Sequence, residues 1–459
     1  MVGCANDPVA VSIDAGSTSG ALGAADARDA AVVIPPVSGN VVISATTRAA
    51  RPNSGLGTSY WLWPPTWGNL VAGSEAQILA LAPAVVRMGG YNNAANPPDP
   101  FDNAQVDLSV AYARAIAAEP ILQVPLLADT AGRPPTADTA AAMVTYANVT
   151  KGYGIKYFSI GNEPDLYPDA TGSTKGIAGY TPEAFCASAS AYVAAMKAVD
   201  PSIKILGPEL SWKYQSGTND WLTPILQACG SLFDIVTVHR YPIDPAQTTI
   251  ANASADAPKL NNIIAHLRTI MASAGMADQP LAITECNITW DGDPAKSTLP
   301  ASPGTVAAGL WAADTFGVGL QNALWTMIYW STREGWTLGL LASSDGTPRP
   351  AYWVLDLYAT HFGPTLISVS STPSGVRAYA SRNQGDTATQ VIVVNWNEAI
   401  ATLTFQVDGL VSPPVPPSFT LPALSVAAIE IPDTGAASAL SYAEAQYQTG
   451  LPPQPLMAP

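Results

Sequence analysis

The chain has 459 residues, of which 48% are apolar and only 12% charged, and it carries a net charge of −15. So acidic a surface argues against nucleic acid or an anionic membrane as partner, and more mildly against a polyanionic substrate. No run of about 20 apolar residues offers a membrane span. The length suits two or three domains, one of which can be a barrel of about 250 residues. Cys4, Cys186, Cys229 and Cys286 show no C-x-x-C spacing, and three histidines are too scattered to suggest a metal site. No metal or other cofactor is expected.

At the start, Val2-Gly3-Cys4 resembles the end of a bacterial lipobox. On that reading Cys4 carries a lipid anchor and the protein is exported, held at the cell surface or in the periplasm. A chance match of so short a motif is the alternative. Residues 1–40 are rich in Ala, Gly, Ser and Asp with few aromatics, the composition of a disordered tether.

From residue 41 to 362 strand-like and helix-like stretches alternate, the pattern of a parallel sheet. Strands are expected at VVISAT (41–46), AVVRMGG (84–90), EPILQVPLL (119–127), IKYFSIGN (155–162), KILGPEL (204–210), FDIVTVHRY (233–241), PLAITECN (280–287) and NALWTMIYW (322–330). Between the fourth and fifth, Thr181 can cap a helix whose first turn takes Pro182 and whose body is Ala-rich. Another helix ends at Gly275. Eight such units make an α/β fold, a (β/α)8 barrel. VVISAT is its weakest strand and can equally belong to the β-rich segment beyond residue 362. Cys186 and Cys229 fall near consecutive helices, which leaves open a disulfide or two buried thiols.

Residues 363–432 change texture. TLISVSST, GVRAYASR, TQVIVVNWN, ATLTFQVDG and LSVAAIEIP are short runs parted by turn residues, as in a small antiparallel β-sandwich. The tail, 433–459, reads as an extended strap or a disordered end.

The stretch that carries chemistry is KYFSIGNEPDLY, Lys156 to Tyr167. Tyr157, Phe158 and Ile160 suit a buried parallel strand, and Pro164 ends its ladder. Asn162 and Glu163 therefore stand at the C-terminal mouth of a barrel strand, where such barrels keep catalytic groups. Glu285 occupies a similar frame in PLAITECNITW. A lone glutamate there more often caps a helix or forms an ion pair. Two on one barrel rim are what glycoside cleavage requires, one to protonate the leaving oxygen and one as nucleophile or base. His239 and Tyr241 alternate onto one face of the sixth strand and can both look into the site, while Arg240 faces out. Cys286 should point away from Glu285. Glu209, ending the fifth strand, is a third carboxylate at the mouth, for sugar hydroxyls or for pairing.

IGNEPDLY on the fourth strand, ITECN on the seventh and a trailing β-sandwich resemble the retaining glycoside hydrolases of clan A, with textures nearest families 79, 44 and 39. The resemblance covers roughly residues 41–432, and Asn-Glu-Pro is specific to the clan more than to any one family. It implies that Glu163 is the acid/base, Glu285 the nucleophile, and Asn162 the ligand of the sugar 2-hydroxyl. Arg87 is implied beside the nucleophile; a structural ion pair at the rim is its plainer role. His239 and Tyr241 are implied to steady the nucleophile, and Trp325, on the eighth strand, to floor the catalytic subsite. Trp61, Trp63, Trp67, Trp212, Trp290, Trp330 and Trp336 crowd the surrounding stretches. Each alone is ordinary packing, but several in βα loops suggest a cleft of several sugar subsites, with Trp61, Trp212, Trp290 and Trp336 the best candidates. Tyr91, Asn92 and Asn93 can add polar contacts. Asp291 and Asp293 suit a turn, since two carboxylates do not make a calcium cage.

The expected function is endo-acting hydrolysis of a neutral β-glucan or hemicellulose by a monomer. Two alternatives stand. One is an exo-acting β-glucuronidase, with Lys213 and Arg333 as carboxylate donors. The other is a carbohydrate-binding surface lipoprotein without catalysis.

Overall fold

The computed structural model describes residues 35–456 apart from 53–54, 61–70, 91–101, 129–132, 170–175, 215–218, 296–297 and 335. Cys4 and most of the expected tether lie outside the described residues.

The first described strand, β1 (Val37–Ala50), is not part of the barrel. It pairs in parallel with Ala401–Asp408 and antiparallel with Thr365–Ser371, far along the chain. The assignment of VVISAT to the first barrel strand is thereby corrected, and the reason is visible in its burial. Val41, Ile43 and Ala45 are buried while the residues between them are not, the mark of a strand covered on one face. The true first barrel strand, β2 (Leu56–Tyr60), is LGTSY and is buried at every position. Its Gly, Thr and Ser disguise it in the sequence, because a strand inside a barrel needs small side chains as much as apolar ones.

The other seven strands fall where the sequence places them. They are β3 (Val85–Met88), β4 (Glu119–Val124), β5 (Tyr157–Ile160), β6 (Lys204–Leu210), β7 (Ile235–Arg240), β8 (Leu281–Cys286) and β9 (Met327–Tyr329). All pair in parallel, and β9 closes the barrel onto β2. Val85, Ile121, Leu206, Ile235, Ala282 and Ile328 fill its interior as one apolar layer. Thr181 caps the helix Pro182–Val199 by accepting from the Ala184 N–H, as its sequence predicts.

Two short strands, β10 (Arg333–Glu334) and β11 (Leu341–Ala342), form a separate pair above β9. The chain then builds β12 (Thr365–Ser371), β13 (Val376–Arg382), β14 (Ala388–Asn395), β15 (Ala401–Asp408), β16 (Ser418–Leu421), β17 (Ser425–Pro432), β18 (Ser438–Tyr442) and β19 (Gln454–Pro455). With β1 these make one nine-stranded mixed sheet, ordered β16-β15-β1-β12-β13-β14-β17-β18-β19. The expected antiparallel sandwich is thus a single sheet with one parallel pair. It curls so that Val41 and Phe405 from one half share a core with Val391 and Ile429 from the other. The tail is neither strap nor disorder over 438–455, since β18, the helix Glu444–Thr449 and β19 extend the sheet.

Helix Val306–Gln321 joins sheet to barrel and is buried from Val306 through Leu320. Covered on every side, it is apolar all round. Its one carboxylate, Asp314, accepts from Arg377, Tyr379 and the Trp396 indole of the sheet.

Cys186 and Cys229 are disulfide-bonded, tying helix Pro182–Val199 to helix Leu222–Cys229 across a separation of 43 residues. Closing a loop of that length is worth about 4 kcal/mol in the chain-entropy account. Reduction, or a Cys186→Ser/Cys229→Ser double variant, is expected to lower the thermal midpoint by about 5 °C for a chain of this size. A melting curve unchanged by reductant would show that the bridge contributes nothing.

Candidate active site

Two strand ends depart from regular geometry, and both carry a glutamate. After β5 the backbone turns at Glu163 with φ of 49°, and its N–H donates to the Glu209 carbonyl at 2.9 Å. Glu209 itself has φ of 57° and sits at a β-bulge between β6 and β7. Left-handed backbone at residues with a Cβ costs of order 1–3 kcal/mol each and is retained where the surroundings enforce it. A second bulge interrupts the pairing of β8 with β7 beside Glu285. Bulges re-aim side chains, and these two turn Glu209, Thr284 and Glu285 towards one centre.

At that centre Arg87, fully buried on β3, donates to Glu285 Oε1 at 2.5 Å and to Asn162 Oδ1 at 2.8 Å. Its guanidinium also lies 3.6 Å from Glu209. Tyr241 donates its hydroxyl to Glu285 Oε2 at 2.8 Å. His239 stands between carboxylates, with Nδ1 2.9 Å from Glu163 and Nε2 2.8 Å from Glu209. Nδ1 is also 3.6 Å from Glu285. Thr284 donates to Glu209 at 2.5 Å. Asn162 Nδ2 is buried with no hydrogen-bond partner among the described residues, a donor left for a ligand.

The electrostatics follow from burial and proximity. Burial works against a charged imidazole, but Glu285, Glu163 and Glu209 together lift His239 to about 10. Burial likewise opposes the Arg87 charge and is overcome by Glu209 and Glu285. Glu209 is held below the ordinary carboxylate value: desolvation pushes it up, and Arg87, His239 and Thr284 more than reverse that. Burial raises Glu285 and the nearby Glu163 adds to it, against the pull of His239 and Arg87. Donor atoms of Glu163, His239 and Glu285 lie within 4.8 Å of one another, close enough for a metal ion. The donor chemistry disfavours one, because both ring nitrogens already face carboxylates and Arg87 supplies the positive charge.

Glu163, Glu285, Asn162, Arg87, His239 and Tyr241 therefore meet as the sequence places them. Trp325 does not join them. Its N–H donates to the carbonyl of Leu281, the first residue of β8, and its ring meets Tyr157, the first residue of β5, at 5.0 Å. It plugs the N-terminal end of the barrel, opposite the site. The apolar run NALWTMIYW hides where its strand begins, and the tryptophan at the mouth is Trp330. Trp330 donates its N–H to the Cys286 carbonyl at 2.9 Å and lays its ring against Gly90, which has φ of 128° and no room for a Cβ. It joins Ser331 through a cis peptide. Trp61, Trp63, Trp67, Tyr91, Asn92 and Asn93 lie outside the described residues.

Trp212, Trp290 and Trp336 stand in loops beyond β6, β8 and β9 and are 48%, 54% and 45% exposed. Thr337, next to Trp336, bonds the Gly292 carbonyl through both N–H and hydroxyl, which ties the loops of Trp290 and Trp336 together. The loop of Trp212 is held by Asp165, a residue sequence reasoning passed over. Its carboxylate accepts from the N–H groups of Ser211, Trp212 and Lys213 and from the Ser211 hydroxyl. The signal available was its place directly after Asn-Glu-Pro, where a short 3₁₀ turn begins. Asp291 and Asp293 form turns, each accepting from the N–H two residues on.

Among solved structures the chain is similar to a bifunctional glucanase–xylanase from a metagenome library, at 17% identity and a TM-score of 0.66 over 87% of this chain and all of that one. A Paenibacillus polymyxa xyloglucanase of glycoside hydrolase family 44 matches at 14% identity and 0.65 over 86% of this chain and all of the other. An α-L-arabinofuranosidase from Thermotoga maritima matches at 17% and 0.62 over 81% and 88%. The fold is that of the clan A glycoside hydrolases. No family profile and no curated protein matches the chain.

Proposed function

We propose that this protein is a retaining glycoside hydrolase acting on a neutral β-linked glycan. One observation carries the reading: two carboxylates face each other across His239 with donor atoms within 4.8 Å, and their partners differ. Glu285 receives Arg87 and Tyr241, donors that favour an anion and suit a nucleophile. Glu163 meets only His239 among described side chains and is the more exposed of the two, free to meet a leaving oxygen. The short separation favours double displacement, because an inverting pair stands about 6.5–9.5 Å apart to admit water between carboxylate and sugar.

In the first step Glu285 attacks the anomeric carbon while Glu163 gives its proton to the departing glycosidic oxygen. In the second, Glu163 takes a proton from water, whose oxygen displaces Glu285 from the sugar. The exposed tryptophans favour an extended chain of sugars, whose C–H faces stack on indole. The two donors named for the glucuronidase alternative lend it little support. Lys213 is committed to Asp169 at 2.6 Å, and Arg333 donates to the carbonyls of Ala342 and Ser343. The disulfide supports export to an oxidising compartment, in keeping with a lipid anchor at Cys4.

The test is product release from β-glucans, xylans, mannans, an aryl β-glucuronide and an aryl α-L-arabinofuranoside, with the anomeric configuration of the first product followed by NMR. Glu163→Ala is expected to lose about 10³-fold on polysaccharide, within the range for general acid catalysis, and far less on aryl glycosides whose leaving group needs no proton. Inverted product would rule out double displacement. A wild-type chain that binds glycan and cleaves none would make it a binding lipoprotein.

A further inference from the structure

Glu209 has no part in the double displacement, yet it is the most completely enclosed carboxylate at the site. Its side chain has no exposure, so it reaches no sugar hydroxyl. One oxygen takes the His239 Nε2 contact and the Thr284 hydroxyl and lies 3.6 Å from Arg87, while its backbone carbonyl anchors the N–H of Glu163. The fold maintains this through a left-handed residue and a bulge. A residue buried at such cost, whose carbonyl holds a catalytic glutamate's backbone and whose carboxylate holds the histidine beside that glutamate's side chain, serves the site through others.

We propose that Glu209 is a positioning residue that holds His239 as a donor from both ring nitrogens, so that a fixed positive charge faces Glu163 through both steps. The inference rests on Glu163 being the acid/base. Charge balance favours it. Arg87 and a doubly protonated His239 offset the charges of Glu209 and Glu285, and the first step begins with the acid/base Glu163 holding a proton. When Glu163 gives that proton away, the His239 N–H at 2.9 Å stabilises the carboxylate left behind. The groups facing the imidazole are Glu163 from β5, Glu209 from β6 and Glu285 from β8. Tyr214 donates its hydroxyl to the His239 backbone carbonyl. Without the Glu209 carboxylate the ring keeps its carboxylate partner at Nδ1 but loses the one at Nε2, and its positive charge is held less strongly.

The experiment is ¹⁵N NMR titration of the imidazole nitrogens in the 459-residue chain, whose three histidines are His239, His266 and His361. His266→Gln and His361→Gln variants assign the signals. In wild type the His239 ring is expected to stay doubly protonated beyond pH 8. In Glu209→Gln, which preserves shape, its midpoint is expected to fall by about 2 units, the size of effect one close opposite charge produces. If Glu209→Gln does not fold, Glu209→Asp withdraws the carboxylate by one methylene and should lower the midpoint by about 1 unit. An unshifted His239 titration in a folded Glu209 variant overturns the proposal whatever the activity. A shifted ring in a chain that cleaves no glycan upholds the coupling and indicts the glycosidase reading instead.

Discussion

Glu285→Ala is expected to reduce turnover by about 10⁴-fold or more, as loss of a covalent nucleophile does elsewhere, and sodium azide should restore part of it. The alanine leaves a gap where the carboxylate stood, with Arg87 and Tyr241 still lining it. Azide is small and anionic, so those donors suit it. It attacks the anomeric carbon from the same side as the missing oxygen, while Glu163 still protonates the leaving group. The product is then a glycosyl azide of inverted configuration, identifiable by NMR. Glu163→Ala treated alike would give a glycosyl azide of retained configuration, because Glu285 still forms the intermediate and azide replaces water in the second step. The two configurations separate the roles of the two glutamates. Rescue with the same configuration in both variants would refute the assignment.

The barrel was legible because seven of its strands are apolar runs ending in Gly, Pro or polar residues, and the helices between them carry caps. β2 was not, since LGTSY trades bulk for room inside the barrel. The site was legible as far as strand ends could be counted. Asn162, Glu163, His239, Tyr241 and Glu285 each come at the end of a recognisable run, and period-two alternation assigns their faces. Bulges defeat that counting. Thr284 and Glu285 are sequence neighbours, yet both reach the central cluster. Glu209 was seen as a carboxylate at the mouth, but nothing local says that it turns inward to His239. Trp325 and Trp330 share one apolar run, and only the pairing of β9 shows which end of the barrel each occupies. The curled sheet takes β1 from before the barrel and β12–β19 from after it, a long-range pairing that no window of sequence contains.

Arg87→Met should be the most destabilising single change at the site, and its cost should depend on pH. Methionine keeps the bulk and removes the charge, leaving Glu285, Glu209 and the Asn162 carbonyl oxygen without their shared donor. Breaking one side of a buried ionic network costs about 3–5 kcal/mol. Arg87→Lys should recover only part of this, since one ammonium cannot hold the fork that reaches both Glu285 and Asn162. The pH dependence comes from the carboxylates. In the wild type Glu209 lies below its unfolded value, so it contributes stability above that value, lost as pH falls through the folded one. Arg87 is the largest of the influences lowering it. Without Arg87, burial dominates and the folded carboxyls titrate above their unfolded values. Such groups help the fold only while protonated and lose that contribution as pH rises. Urea denaturation at pH 5 and pH 8 should therefore show the gap between wild type and Arg87→Met widening with pH. A gap equal at both would mean that Arg87 acts through packing, with its charge already compensated by His239. Activity should fall at least as far as the roughly 10²–10³-fold lost with a single preorganised donor, because Arg87 orients nucleophile and Asn162 together.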